Sequence, residues 1–207
     1  MKDHIADRPA LVRRGLLLTY LTLGYNVLEA MVSLVAGFIA GSVALVGFGF
    51  DSVIEVTSSV AARWRLHADF DPVARHRVER STLRIIGWSF LALAAYVTAD
   101  GTATLWLGRR PEQSALGIGI LSLSVVVMPL LARAKRRVAL ALESRALTSD
   151  ARQTSLCAYL SAIALGGVAL NAALGWWWAD PVAALAMVPI IADEGIGGLR
   201  HAARVRE

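Results

Sequence analysis

Residues 41–62 read GSVALVGFGFDSVIEVTSSVAA, an apolar stretch long enough to cross a membrane that nevertheless contains two acids. Asp51 and Glu55 are one helical turn apart in this stretch, so a helix brings both side chains to one face. An acid near the centre of a bilayer costs about 2.5 to 3.5 kcal/mol on insertion scales, and such groups usually pair, face a cavity or bind an ion. The two acids therefore predict a polar site inside a membrane protein.

The composition supports a membrane protein. Of the 207 residues, 56% are hydrophobic and only 18% are charged, and the mean hydropathy is +0.55. Six apolar stretches of about 18 to 25 residues recur, each long enough to cross the bilayer as a helix. Their limits are residues 16–39, 43–62, 85–107, 115–132, 149–173 and 181–199. Because these runs lack the alternation of barrel strands, we predict an all-α polytopic membrane protein with six transmembrane helices in one bundle.

The distribution of basic residues predicts the orientation. Lys and Arg are concentrated in four segments: residues 1–14, 63–84, 133–148 and 200–207. The connections on the opposite side contain only Arg109 and Arg110. By the positive-inside rule both termini are cytoplasmic, and we expect a plasma-membrane protein. The basic loops, Lys135 among them, are expected to touch anionic lipid, and nothing in the sequence indicates nucleic-acid binding.

The chain is expected to form one transmembrane domain over residues 1–207. A short cytoplasmic arm (1–14) precedes the helices, and the tail (200–207) is too short to build a further cytoplasmic domain. Cys157 is the only cysteine and lies within a predicted span, so an intrachain disulfide is excluded. No phosphate loop, nucleophile and base pair or cofactor signature occurs, so we do not expect an enzyme or a resident cofactor.

Three predicted helices have polar residues at helical spacing on one face, which suggests a shared polar interior. The face on the first helix comprises Asn26, Glu29, Ser33 and Gly37. The face on the second comprises Asp51, Glu55 and Ser58 or Ser59. The face on the fifth comprises Asp150, Gln153 or Thr154, Cys157 and Ser161. Carboxylates with an amide or a thiolate form a compact ligand set for a divalent cation, and two ligands from each of two helices suit tetrahedral geometry.

The motifs along the chain resemble the cation diffusion facilitator (cation efflux) family. The match rests on Asn26 and Glu29, on residues 36–45 (AGFIAGSVAL) and on Asp51-Ser52 with Glu55. Further matches are Glu143-Ser144, Ser149-Asp150-Ala151 and Ala179-Asp180-Pro181. The resemblance implies a six-helix metal exporter, typically proton-coupled, that forms a homodimer.

In this family the transport site takes two ligands from the second helix and two from the fifth. Asp51 and Glu55 match the second-helix positions, with Glu55 in place of the more usual aspartate. With Asp150 aligned to the aspartate that opens the fifth-helix motif, Gln153 stands where a histidine or aspartate is usual. Cys157 stands where an aspartate is usual. The resemblance thus implies a metal site made of Asp51, Glu55, Asp150, Cys157 and Gln153.

The predicted function is a divalent metal cation transporter that exports the ion from the cytoplasm by proton-coupled alternating access. Zinc is the first choice because the Cys157 thiolate favours soft ions, while manganese, iron and cadmium remain open. The alternative is a membrane protein of the same fold that binds metal without moving it, or whose acids only hold helices together.

Each candidate residue has a structural alternative. Asp51 and Glu55 could form a clamp with an arginine such as Arg152. Asp150 could cap a helix, and Cys157 could be a small buried hydrophobic residue. Glu29 could carry protons or serve as a structural partner, and the sequence does not separate the two.

Three further patterns have simple interpretations. Asp180 and Pro181 read as the N-cap and first residue of the last helix. Gly37 and Gly41 are more typical of close packing within the chain than of a dimer contact. Residues 67–76, with His67, Asp69, Asp71 and His76, could hold a second metal or form a solvated turn.

Overall fold

The structure is a computed structural model that describes residues 8–67, 72–142 and 145–204. These residues contain no strand and form six helices joined by short connections. The helices are α1 (Arg8–Ala40), α2 (Val43–His67), α3 (Pro72–Trp106), α4 (Ala115–Ala141), α5 (Arg145–Leu174) and α6 (Ala179–Arg204). The prediction of an all-α fold is confirmed.

Five helices of the described chain are long and apolar enough to cross a membrane: α1, α3, α4, α5 and α6. The protein is therefore an integral, multi-pass membrane protein. The prediction of six spans is confirmed for these five, and α2, which contains both Asp51 and Glu55, is not among them.

Several helices extend well beyond the predicted apolar stretches. α3 begins at Pro72 rather than at residue 85, α4 ends at Ala141 rather than at residue 132, and α5 begins at Arg145 rather than at residue 149. Hydropathy locates the apolar part of a helix, whereas backbone hydrogen bonding continues into polar sequence. Residues assigned to loops from hydropathy, Lys135 among them, therefore lie on helices.

α2 occupies the centre of the bundle and packs against α1, α3, α5 and α6. Its buried side chains follow the helical repeat, so the acids lie on the same enclosed face as its apolar core residues. These buried residues include Ala44, Leu45, Phe48, Asp51, Ser52 and Glu55. The position of α2 explains why both acids are enclosed by protein.

Asp180 links the start of α6 to the start of α2. Its Oδ1 accepts hydrogen bonds from the backbone N–H groups of Val43 (3.0 Å) and Ala44 (3.4 Å), and its Oδ2 accepts one from the Ser42 hydroxyl. The prediction that Asp180 is the N-cap of its own helix is wrong, because α6 begins at Ala179 and the carboxylate caps α2 instead. Unpaired N–H groups at a helix start are the groups that such a carboxylate satisfies.

Glycines permit close contact between helices. A Cβ on Gly37 would lie 2.8 Å from Val46 Cγ2, which confirms packing within the chain at this position, while Gly41 has a φ of +63° in the α1–α2 turn. A Cβ on Gly195 of α6 would lie 2.9 Å from Leu91 Cγ and 3.0 Å from the Gly87 carbonyl oxygen on α3. The α3–α6 contact therefore depends on the absence of a side chain there.

Replacing Asp180 with Ala should lower stability by about 1 to 2 kcal/mol, since the first N–H groups of α2 lose their acceptor in a buried position. The measurement is thermal unfolding in detergent, followed by circular dichroism. Asp193→Ala, a change of the same type in the second half of α6, serves as the control. Equal melting temperatures for the two variants would show that the cap contributes nothing.

Gly195→Ala should destabilise the bundle by about 1 to 3 kcal/mol, because the added methyl meets the backbone of Gly87. The matched control is Gly197→Ala, two residues further on the same helix, where the added Cβ has nothing within 4 Å beyond the local helix backbone. That variant should be neutral or slightly more stable. Thermal unfolding compares the two, and a Gly195→Ala protein that melts as high as the control would contradict the expectation.

Candidate functional site

Asp51 and Glu55 face the interior of the bundle, with 6% and 3% of their surfaces exposed. Within the described residues neither has a direct ion pair. The predicted clamp with Arg152 is not formed, because Arg152 is exposed and lies near Glu194 of α6. The two acids therefore require another source of stabilisation in a region without bulk water.

Both acids line a small cavity between α2, α3, α5 and α6. Its other polar lining residues are Gln153, Cys157 and Glu194. Its apolar lining comes from Phe90, Leu156, Leu160, Ile190 and Ile191. The cavity volume is about 10 Å³, roughly the room that one water molecule needs. Four of the five predicted ligands, Asp51, Glu55, Gln153 and Cys157, thus face one enclosed space.

Asp150 is the predicted ligand that does not line this cavity. Its Oδ2 lies 2.8 Å from the Nζ of Lys135 on α4, and the two form an ion pair. The alternative of Asp150 as a helix cap is wrong, because α5 begins five residues earlier, at Arg145. Asp150 is thus inside the helix and paired with a cation.

Lys135 is fully buried, and sequence reasoning missed its role by placing it in a loop. Besides Asp150 it contacts Thr154, to whose Oγ1 it donates a hydrogen bond of 3.1 Å. Thr154 Oγ1 in turn lies 3.3 Å from Glu55 Oε1, to which it can donate. The signal that could have identified Lys135 is its spacing on the buried face of α4, which also includes Met128, Ala132 and Ala139.

Glu194 is the second residue that sequence reasoning missed. It lies on α6 and brings a third carboxylate to the wall of the cavity. Because the following turn of α6 contains Gly197 and Gly198, this part of the sequence gives little periodic signal. Only the packing of α6 against α2 and α5 places it beside the predicted residues.

Glu29 forms the centre of a neighbouring polar cluster. Its Oε2 accepts hydrogen bonds from the Ser52 hydroxyl (2.8 Å) and the Cys157 thiol (3.6 Å), and its Oε1 accepts one from the Ser124 hydroxyl. The carboxylate thus receives hydrogen bonds from three helices, α2, α4 and α5. These bonds fit the interpretation of Glu29 as a structural partner.

Asn26, one turn before Glu29 on α1, is fully buried. Its amide lies close to Glu55 without a well-aligned hydrogen bond. Ser33 and the second oxygen of Glu55, Oε2, are likewise buried and without a hydrogen-bond partner in the described structure. Buried polar groups without a partner are rare in proteins, and an internal water molecule or ion commonly satisfies them.

The donor set around the cavity offers carboxylate oxygens, an amide oxygen and a thiol, all of which bind divalent cations. Among the described side chains, however, no three His, Cys, Asp or Glu residues lie close enough together to hold a metal ion. The arrangement is thus a pair of buried acids beside an incomplete ligand shell. The predicted second metal site around His67, Asp69, Asp71 and His76 falls outside the part of the chain whose side chains are described.

Comparison with known proteins gives two curated relatives. One is an uncharacterized transporter of Methanocaldococcus jannaschii, 25% identical over 173 residues, which cover 81% of this chain and 61% of the relative. The other is an uncharacterized transporter of Synechocystis, 30% identical over 176 residues, which cover 80% of this chain and 55% of the relative. The chain therefore spans somewhat more than half the length of the relatives it matches.

A family comparison covers nearly the whole bundle. The model of the cation efflux transmembrane domain matches residues 19–205, which include all the polar faces that line the interior. The resemblance seen in the motifs between Asn26 and Glu55 is thereby confirmed. The chain belongs to the cation efflux family, the cation diffusion facilitators.

Proposed function

We propose that the protein transports a divalent metal cation, with zinc as the first candidate, and that the ion binds between Asp51 and Glu55 in the cavity beside α5. The observation that carries this proposal is the shared cavity of four predicted ligands, two of which are buried acids on α2. The transporter names of both relatives and the cation efflux family support a transport role rather than an enzymatic one.

The proposed mechanism is alternating access. The cation enters from the cytoplasm, binds near the middle of the bundle and leaves on the other side after the helices rock. Because carboxylates bind metal only when deprotonated, release is coupled to protonation, and the ion is exchanged for protons. Glu194, half-buried at the cavity wall, is suited to attract the cation towards Asp51.

The proposal includes the arrangement in the membrane. α2 crosses the bilayer as the sixth span, both termini are cytoplasmic, the protein resides in the plasma membrane and two copies form a homodimer. The basic connections support this orientation through the positive-inside rule. The central position of α2 supports its crossing, since four spanning helices surround it.

The second candidate function is a membrane protein that binds metal without moving it, or whose acids are structural. The incomplete ligand shell among the described residues favours it. So does Glu29, whose carboxylate is satisfied by three donors and needs no ion.

Asp51→Asn should reduce cation flux by about tenfold or more, because it removes a ligand charge at nearly constant shape. The measurement is uptake of zinc, manganese, iron and cadmium into proteoliposomes, with and without an imposed pH gradient. Asp100→Asn, outside the cavity, is the control and should keep native flux. Native flux in the Asp51 variant would overturn the site, and no flux of any ion by the native protein would favour the second candidate.

Cys157→Ser should lower the preference for zinc and cadmium over manganese, because a hard hydroxyl replaces a soft thiolate. The readout is the ratio of apparent affinities in the same vesicles. Ser161→Ala, one turn further on the same buried stretch of α5, controls for general disturbance. An unchanged ratio would identify Cys157 as a packing residue.

A further inference from the structure

Lys135 places an ammonium group in the interior of the bundle. Its side chain is fully buried on α4, and its ammonium lies 2.8 Å from Asp150 Oδ2 and 3.1 Å from Thr154 Oγ1. An enclosed ammonium of this kind is tolerated only beside acids and hydrogen-bond acceptors. Asp150 and Thr154 are the partners that stabilise Lys135 in the interior.

Thr154 connects this cation to the cavity. Its hydroxyl oxygen contacts Lys135 on one side and lies 3.3 Å from Glu55 Oε1 on the other. Asp150, the ion-pair partner of Lys135, does not line the cavity. Lys135 is thus more than the counter-ion of Asp150, because a single hydroxyl group lies between its ammonium and the acid that faces the cavity.

Glu55 remains able to bind a cation despite this contact. One of its oxygens, Oε1, is turned towards Thr154, while Oε2 is buried without a hydrogen-bond partner in the described structure. Asp51, one turn earlier, has no ion pair among the described residues. A divalent cation between Asp51 and Glu55 would therefore bind within the field of the lysine without displacing it.

We propose that Lys135 is a tethered cation that weakens the binding of divalent ions to the Asp51–Glu55 cavity and thereby sets the affinity of the site. The inference rests on the proposed identity of the cargo but not on its transport. Two like charges in a medium of low dielectric constant repel strongly, so the ion binds less tightly and leaves more easily than it would beside two acids alone. A site that releases its ion needs this limit on affinity.

The competing interpretation is an ion pair that only fastens α4 to α5. In that case the charge of Lys135 matters to Asp150 alone, and removing both charges together would leave the cavity as it was. A double variant therefore separates the two interpretations, and it also avoids leaving an unpaired charge in the interior.

The experiment measures equilibrium binding of zinc, manganese and cadmium by titration calorimetry on the purified full chain in detergent. The variants are Lys135→Met, Lys135→Arg and the double variant Lys135→Met with Asp150→Asn. We expect Kd to fall about tenfold or more in Lys135→Met and in the double variant, and to stay native in Lys135→Arg. Helix content and monodispersity establish that each variant folds.

A native Kd in the folded double variant, or weaker binding, would overturn the inference and leave a structural ion pair. If the native protein binds no ion detectably, the double variant should gain binding, and its failure to do so would also overturn the inference.

Flux in vesicles is measured separately. The tethered cation predicts a lower KM together with a lower maximal rate in the double variant, whereas absence of native flux would overturn the transport proposal and leave the binding result intact.

Discussion

Carboxylates enclosed by apolar helices have no bulk water to solvate them, so each must find hydrogen-bond donors, a cation or a cavity inside the bundle. The acids of the interior are accommodated in different ways. Glu29 receives hydroxyl and thiol donors from three helices, Asp150 pairs with Lys135 and Asp180 accepts the first N–H groups of α2. Asp51 and Glu55 differ from these, because a cavity rather than a saturated set of partners adjoins them. The site is recognisable as the place where solvation by protein is left incomplete.

Different helices contribute different side chains to this cavity. α2 supplies the acids from the centre, α5 supplies Gln153 and Cys157 from one side, and α6 supplies Glu194 from another. α4 does not line the cavity, but its Lys135 contacts Thr154 of α5, which lies beside Glu55. The charge experienced by a bound ion is therefore determined by residues on four helices.

The all-α fold, five of the spans and the grouping of Asp51, Glu55, Gln153 and Cys157 could be predicted from the sequence, because apolar length and helical spacing are local properties. Glu194 could not, since its importance depends on which helices become neighbours. Lys135 was placed in a loop, although its spacing from Met128 and Ala132 indicates the buried face of a helix. Asp180 was assigned to its own helix because local capping rules do not report a partner 137 residues away. The predicted helix ends were also wrong, because hydropathy detects only the apolar part of a helix and gives no information on its polar extensions.

The cap that Asp180 places on α2 gives α6 a fixed point. Glu194 stands 14 residues further along the same helix, about 21 Å away at 1.5 Å per residue. Gly195, the next residue, packs against Leu91 and Gly87 of α3 with no space for a methyl group. Glu194 is therefore positioned at the cavity wall by two contacts of α6, the cap at Asp180 and the glycine contact with α3 beside it.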